Sequence, residues 1–90
     1  MTTYKEYTVK VYNNKTVEWH LNGNLHREDG PAVERANGGK YWYLNGKYHR
    51  EDGPAIEYPD GYKSWYLSGK KISCKDNDHF LRLIKLKVFW

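Results

Sequence analysis

The stretch Lys40-Tyr41-Trp42-Tyr43-Leu44-Asn45-Gly46-Lys47-Tyr48-His49-Arg50-Glu51-Asp52-Gly53-Pro54-Ala55 decides the fold. Its first five residues are aromatic-rich and read as a strand. Asn45-Gly46 is the dipeptide favoured in two-residue hairpin turns, because both positions tolerate positive φ. Lys47-Tyr48-His49 then begins a return strand. Glu51-Asp52-Gly53-Pro54 interrupts it with a turn or bulge, since Pro54 has no N–H to give a ladder. Ala55-Ile56-Glu57-Tyr58 resumes in β, Pro59-Asp60-Gly61 turns, and Tyr62-Lys63-Ser64-Trp65-Tyr66-Leu67 starts the same course again.

That recurrence has a period of 23 residues. Trp19, Trp42 and Trp65 keep it, as do Leu21, Leu44 and Leu67, and Gly23, Gly46 and Gly69. His26-Arg27-Glu28-Asp29-Gly30-Pro31-Ala32 returns unchanged as His49-Arg50-Glu51-Asp52-Gly53-Pro54-Ala55, and Asn37-Gly38 matches Asp60-Gly61. Tyr12 lies two periods before Tyr58, so a worn partial unit opens the chain. The 90 residues form one domain, with about 60–65% of the unfolded surface buried. Its parts are a degenerate hairpin over 1–18, repeats over 19–41 and 42–64, a partial repeat over 65–73, and a C-terminal helix in 74–90. The expected fold is mainly β: an antiparallel meander of tandem 23-residue hairpins capped by that helix. A unit this small must stack on its neighbours to bury an apolar face.

Period-2 alternation sorts the faces. Trp19, Leu21, Trp42, Leu44, Trp65 and Leu67 share one face, which is assigned to the core with Phe80 and Ile84 of the helix. His20, Tyr43 and Tyr66 point the other way and form an outward stripe. In the tail, Ser73 reads as an N-cap with Asp76 three residues on. The helix is expected over roughly 74–87, with Arg82, Lys85 and Lys87 late, where the macrodipole favours cations. Val88-Phe89-Trp90 is very apolar for a chain end and is expected to dock.

The composition has little aliphatic content but 17% aromatics, with nine tyrosines and four tryptophans. Such side chains bury large areas and suit recognition surfaces. The formal net charge is +4, with Lys and Arg interspersed among Asp and Glu, a pattern that reads as a solvated surface. Cys74 is the only cysteine, so there is no disulfide framework. No stretch resembles a signal peptide or approaches a membrane span. These features lead us to expect a soluble, cytoplasmic protein.

The pattern Trp-x-Leu-Asn-Gly-Lys-x-His, followed by Gly-Pro-Ala and an Asp-Gly turn, resembles MORN-type repeats. Leu44-Asn45-Gly46-Lys47-Tyr48-His49 and Tyr58-Pro59-Asp60-Gly61 carry the likeness, which covers about residues 10–73. The His-Arg-Glu-Asp-Gly-Pro-Ala variant is similar to MORN-like repeats of small bacteriophage and bacterial proteins. Arg27 and Arg50 depart from the ordinary pattern, in which a glycine commonly follows the histidine. The resemblance implies a hairpin scaffold and a phage-encoded accessory protein that binds a host protein, for instance one in defence or nucleic-acid handling, whose cytoplasm it would share. Such scaffolds serve many partners.

His26-Arg27-Glu28-Asp29 and its copy at 49–52 gather groups able to bind metal or move protons, but a catalytic centre is rarely duplicated. The structural alternative has Asp capping the turn, Glu pairing with Arg, and His packing at a strand end. No metal-ligand spacing or cofactor motif is present, and no helix follows the glycines as a phosphate loop requires. Expected catalytic residues, metal ligands and cofactors are therefore none. A nucleic-acid surface built from Tyr43, Tyr66, Lys40, Lys63 and Arg50 is the second reading, opposed by Glu28, Asp29, Glu34, Glu51, Asp52 and Glu57 in the same units. The helix is amphipathic enough to lie on a membrane, although a domain with so small a core has more need of it inside. Cys74 reads as an unremarkable thiol. The expectation is a non-enzymatic protein-binding module whose contact residues are His20, Tyr43, Tyr66, Arg35, Tyr58, Arg27 and Arg50. Open strand edges also admit a homodimer.

Overall fold

The computed structural model describes residues 5–86. Ten strands and one helix occur among them: β1 Thr8–Val11, β2 Val17–Leu21, β3 Asn24–Leu25, β4 Val33–Glu34, β5 Lys40–Tyr41, β6 Tyr43–Leu44, β7 Lys47–Tyr48, β8 Ile56–Glu57, β9 Lys63–Leu67, β10 Lys70–Ile72 and α1 Asn77–Leu86. Every strand pairing is antiparallel. The chain is thus a mainly β meander of hairpins ending in a helix.

Two kinds of turn build it. Asn22-Gly23, Asn45-Gly46 and Ser68-Gly69 all have positive φ at both residues, 50–53° then 80–84°, the signature of the type I′ turn that matches strand twist. Between units, a second turn recurs three times. The N–H groups of Lys15, Gly38 and Gly61 donate to the carbonyls of Tyr12, Arg35 and Tyr58 at 2.8–3.0 Å. Asn14, Asn37 and Asp60 each accept from the backbone N–H two residues on at 2.9 Å. The worn first unit has kept this turn chemistry, even though Lys15 must take φ 71° where the later units use glycine.

Each turn-bearing strand divides its pairing at its tryptophan. Upstream, Glu18 faces Val33 of β4; downstream, His20 faces Leu25 of β3. Successive hairpins are then tied edge to edge: Gly46 N–H donates to Leu25 O and Gly69 N–H to Tyr48 O, at 2.9 and 2.8 Å. The result is a slab of 42 × 37 × 17 Å. Its radius of gyration, 14.1 Å, exceeds the roughly 12 Å of a compact chain of this length.

The core lies at the C-terminal end. Trp65, Leu67, Ile72 and Phe80 are buried together, with Leu81, Leu83, Ile84 and Cys74 packed against them. Trp19, Leu21, Trp42 and Leu44, expected in the same core, are only half-buried. The reason is what covers them. The Arg27 guanidinium lies 4.0 Å above the Trp19 ring and that of Arg50 lies 3.8 Å above Trp42, so a cation roofs each ring in place of an apolar layer. In the third unit Ser73 stands where that arginine would be, and α1 takes over: Phe80 packs on Trp65 with centroids 6.3 Å apart, and Trp65 Nε1–H donates to Asn77 Oδ1.

The helix starts later than expected, at Asn77, and its cap is different. Asp76, not Ser73, accepts the His79 N–H at 2.9 Å, as an N-cap bonds N3, while His79 Nδ1 accepts from Lys75 N–H. Ser73 is held by its place directly after β10 and cannot begin the helix. Lys87 and the expected docking of Val88-Phe89-Trp90 lie outside the described residues.

Candidate functional site

The arginine loops account for the duplicated polar motif. Arg27 Nε donates to Asp29 and its Nη1 to Pro31 O; Arg50 repeats this with Asp52 and Pro54 O. His26 and His49 bond Glu28 and Glu51 through Nε2, at 3.2 and 2.9 Å. The pairs are therefore Arg with Asp and His with Glu, not the Arg with Glu anticipated, although Arg50 also reaches Glu57 at 3.4 Å. A Cβ on Gly30 or Gly53 would lie 2.9 or 2.8 Å from the arginine Cζ, so any larger residue there would push the guanidinium aside. These polar groups are occupied in holding the loop, and Arg27 and Arg50 have little left to offer a partner. Among the described residues no cluster of three or more His, Cys, Asp or Glu side chains is placed to hold a metal ion.

The opposite face is different in kind. The type I′ turn sets Tyr43 across from Tyr48, and their rings meet at 4.6 Å. Tyr48 in turn meets Tyr66 at 5.0 Å and Tyr41 at 6.4 Å. Tyr41 meets Tyr58 edge-on at 5.9 Å, and Tyr58 stacks on Tyr62 at 5.2 Å. Six tyrosines from three successive units thus form one chain of ring contacts. Arg35 borders it, its guanidinium 5.4 Å over the Tyr41 ring. Val33 and Ile56, in register on either side of Tyr41, are buried. Ser64, in register with Ile56, is buried too, and its Oγ has no hydrogen-bond partner among the described residues. Burial raises the phenol pKa of Tyr43, and interaction with the Tyr41 hydroxyl raises that of Tyr58. Tyr43 and Tyr58 are therefore neutral phenols at physiological pH.

Of the expected contact residues, Tyr43, Tyr66, Tyr58 and Arg35 are brought together here. His20 is held instead by Glu18, which accepts from it and from the Tyr12 hydroxyl at 3.0 Å each; the His20 hydrogen bond is the main reason the Glu18 carboxyl is held below its usual range. Arg27 and Arg50 lie on the other side. So do Lys40 and Lys63, which alternate with Tyr41 and Ser64 and both face Glu57. The set once considered for nucleic acid is thereby split between two faces, its cations beside carboxylates and its tyrosines elsewhere. Tyr41, Tyr48 and Tyr62 were missed. The signal was present, since the Asn45-Gly46 turn fixes the pairing of Tyr43 with Tyr48, and Tyr41 shares their parity.

No family model, curated protein or solved structure matches this chain.

Proposed function

We propose that the chain is a non-enzymatic protein-binding module whose recognition surface is the tyrosine face. The observation that carries this reading is the unbroken contact chain from Tyr66 through Tyr48 and Tyr41 to Tyr62, with Arg35 at its border. Tyrosine and arginine are enriched in interface cores and hot spots. Rings already packed on one another have little rotamer freedom left to lose, and each keeps a hydroxyl for hydrogen bonding. A flat slab presents such a face as a platform, suited to a protein surface more than to a small molecule, which prefers a concavity.

Joined to the resemblance of the repeat to those of small phage proteins, the reading becomes an accessory protein that occupies a host factor and inhibits or redirects it. The test is capture of partners from cells that naturally contain the chain, using the wild type, Tyr58→Ser/Tyr62→Ser and, on the other face, Lys40→Glu. Tyr58 and Tyr62 are exposed, so the double variant should keep its melting temperature. The expected result is a protein retained by the wild type and by Lys40→Glu but lost from the tyrosine variant. Retention by the tyrosine variant, or loss only from Lys40→Glu, overturns the proposal.

A further inference from the structure

The two edges of the sheet are unlike. At one end β10 carries Lys70 and Lys71, both exposed, and the chain runs on into α1. Charged side chains on an edge discourage further strand addition. At the other end β1 presents Val9 and Val11, 45% and 71% exposed, with Tyr12 beyond them at 44%. β1 pairs with β2 alone, so its outer N–H and C=O groups are without a ladder partner among the described residues. Bare β-branched side chains on an unpaired edge form a template for another strand.

We infer that two copies of the chain join here, β1 to β1, antiparallel about a two-fold axis normal to the sheet. Residues opposite one another in a ladder share a face, which limits the registers. Centring the pair on Lys10 would set like charges directly opposite, a destabilising arrangement. Centring it on Val9 sets Val9 against the second copy's Val9, Lys10 against Thr8, and Val11 against Tyr7. The apolar row that runs from Trp19 to Val9 then continues into Val9 and Trp19 of the second copy. Lys10 retains Glu18, its cross-strand neighbour in its own chain. Each copy has one bare edge and one guarded edge, so assembly closes at two and does not grow into a fibre. The axis keeps both tyrosine faces on one side. Because β1 has only four residues, the contact belongs among weak, concentration-dependent interfaces. It makes no use of the tyrosine face and stands or falls independently of it.

Sedimentation velocity across a concentration series tests the association. The wild type is expected to shift from monomer to dimer, and Val11→Lys to raise the dissociation constant about tenfold or more. Val11 is exposed enough for that variant to fold, which circular dichroism checks. Mild oxidation in a Cys74→Ala background tests the register. Opposed Cα atoms lie about 4.5–5.5 Å apart, within disulfide reach, so Val9→Cys should give a covalent dimer. Two copies of Val11 are four residues out of step, about 13 Å apart, and Val11→Cys should not. A wild type that stays monomeric at the highest attainable concentration, a dimer indifferent to Val11→Lys, or equal cross-linking at both positions overturns the inference.

Discussion

His49 accepts, at Nδ1, a hydrogen bond from the backbone N–H of Ser68 at 2.9 Å, and His26 accepts one from Asn45 at the same distance. In both cases the donor lies in the turn of the following hairpin, so the histidine fastens one unit to the next. The third occupant of this position is Ile72, which is 4% exposed. After it comes no further hairpin, and an aliphatic side chain that fills the core replaces an acceptor that would have nothing to accept. The identity of the residue thus reports whether the array continues.

Replacing His49 by Ala should remove the acceptor of the Ser68 N–H. Ser68 is exposed and water can take up its N–H, so the loss is the net worth of one intramolecular hydrogen bond, about 0.5–1.5 kcal/mol. Urea unfolding should show a loss of that size, and the Ser68 amide should exchange its hydrogen faster than in the wild type. Unchanged protection of that amide would show that the side chain is not the tie.

Arg50→Lys preserves the charge but gives up the planar stack on Trp42 and the directed bonds to Asp52 and Pro54. Lysine does not replace arginine at such a site, and a loss of about 1–2 kcal/mol is expected. Gly53→Ala should have a related effect from the other side, because its methyl group would press on the guanidinium. Both variants should alter tryptophan fluorescence as Trp42 loses its cover. Wild-type stability in both would contradict the roofing role of Arg50.

Lys15→Gly should raise stability. The lysine adopts a left-handed backbone in the turn where Gly38 and Gly61 stand in the later units, at a cost of about 1–2 kcal/mol for a side-chain-bearing residue. Glycine gives part of that back through its freer unfolded chain, leaving an expected gain of about 0.5–1 kcal/mol in unfolding free energy, read from urea denaturation. A fall in stability would mean that the Lys15 side chain contributes a contact larger than the strain.

Stability should decline at alkaline pH through the tyrosine face. The Tyr43 phenol is raised by burial, whereas in the unfolded chain it ionises near pH 10. The contribution is therefore complete below about pH 10 and is lost as pH rises further, since the unfolded state releases a proton that the folded state keeps. Phenolate absorbance should show a late component that appears together with unfolding and disappears in Tyr43→Phe. Titration of all tyrosines near pH 10 with the fold intact would refute this.

The hairpins were legible because their information is local. A dipeptide such as Asn45-Gly46 dictates a backbone geometry by itself, and the spacing of Trp19, Trp42 and Trp65 announces repetition without reference to any contact. The helix was visible from its apolar face, but its start was not. Choosing between Ser73 and Asp76 as the cap depends on where β10 releases the chain, which is a tertiary matter. Sequence alone pairs Arg27 and Arg50 with Glu at the surface, because sequence distance does not reveal what lies above a tryptophan. Long charged side chains often cover apolar surface in this way. The tyrosine chain was half seen: Tyr43 and Tyr66 follow from the period, while Tyr41 and Tyr48 follow only from cross-strand register.

Each arginine roof lies within its own unit, and each histidine tie reaches only the next one. An in-frame duplication of residues 42–64 would therefore bring with it its own tryptophan, its own roof and its own fastening. Ile72 and α1 would still close the far end. The gene can lengthen or shorten the protein by whole modules at little risk to folding, and each added module enlarges the tyrosine platform by a fixed increment. Reach, in a protein of this design, is a quantity that selection can adjust in steps.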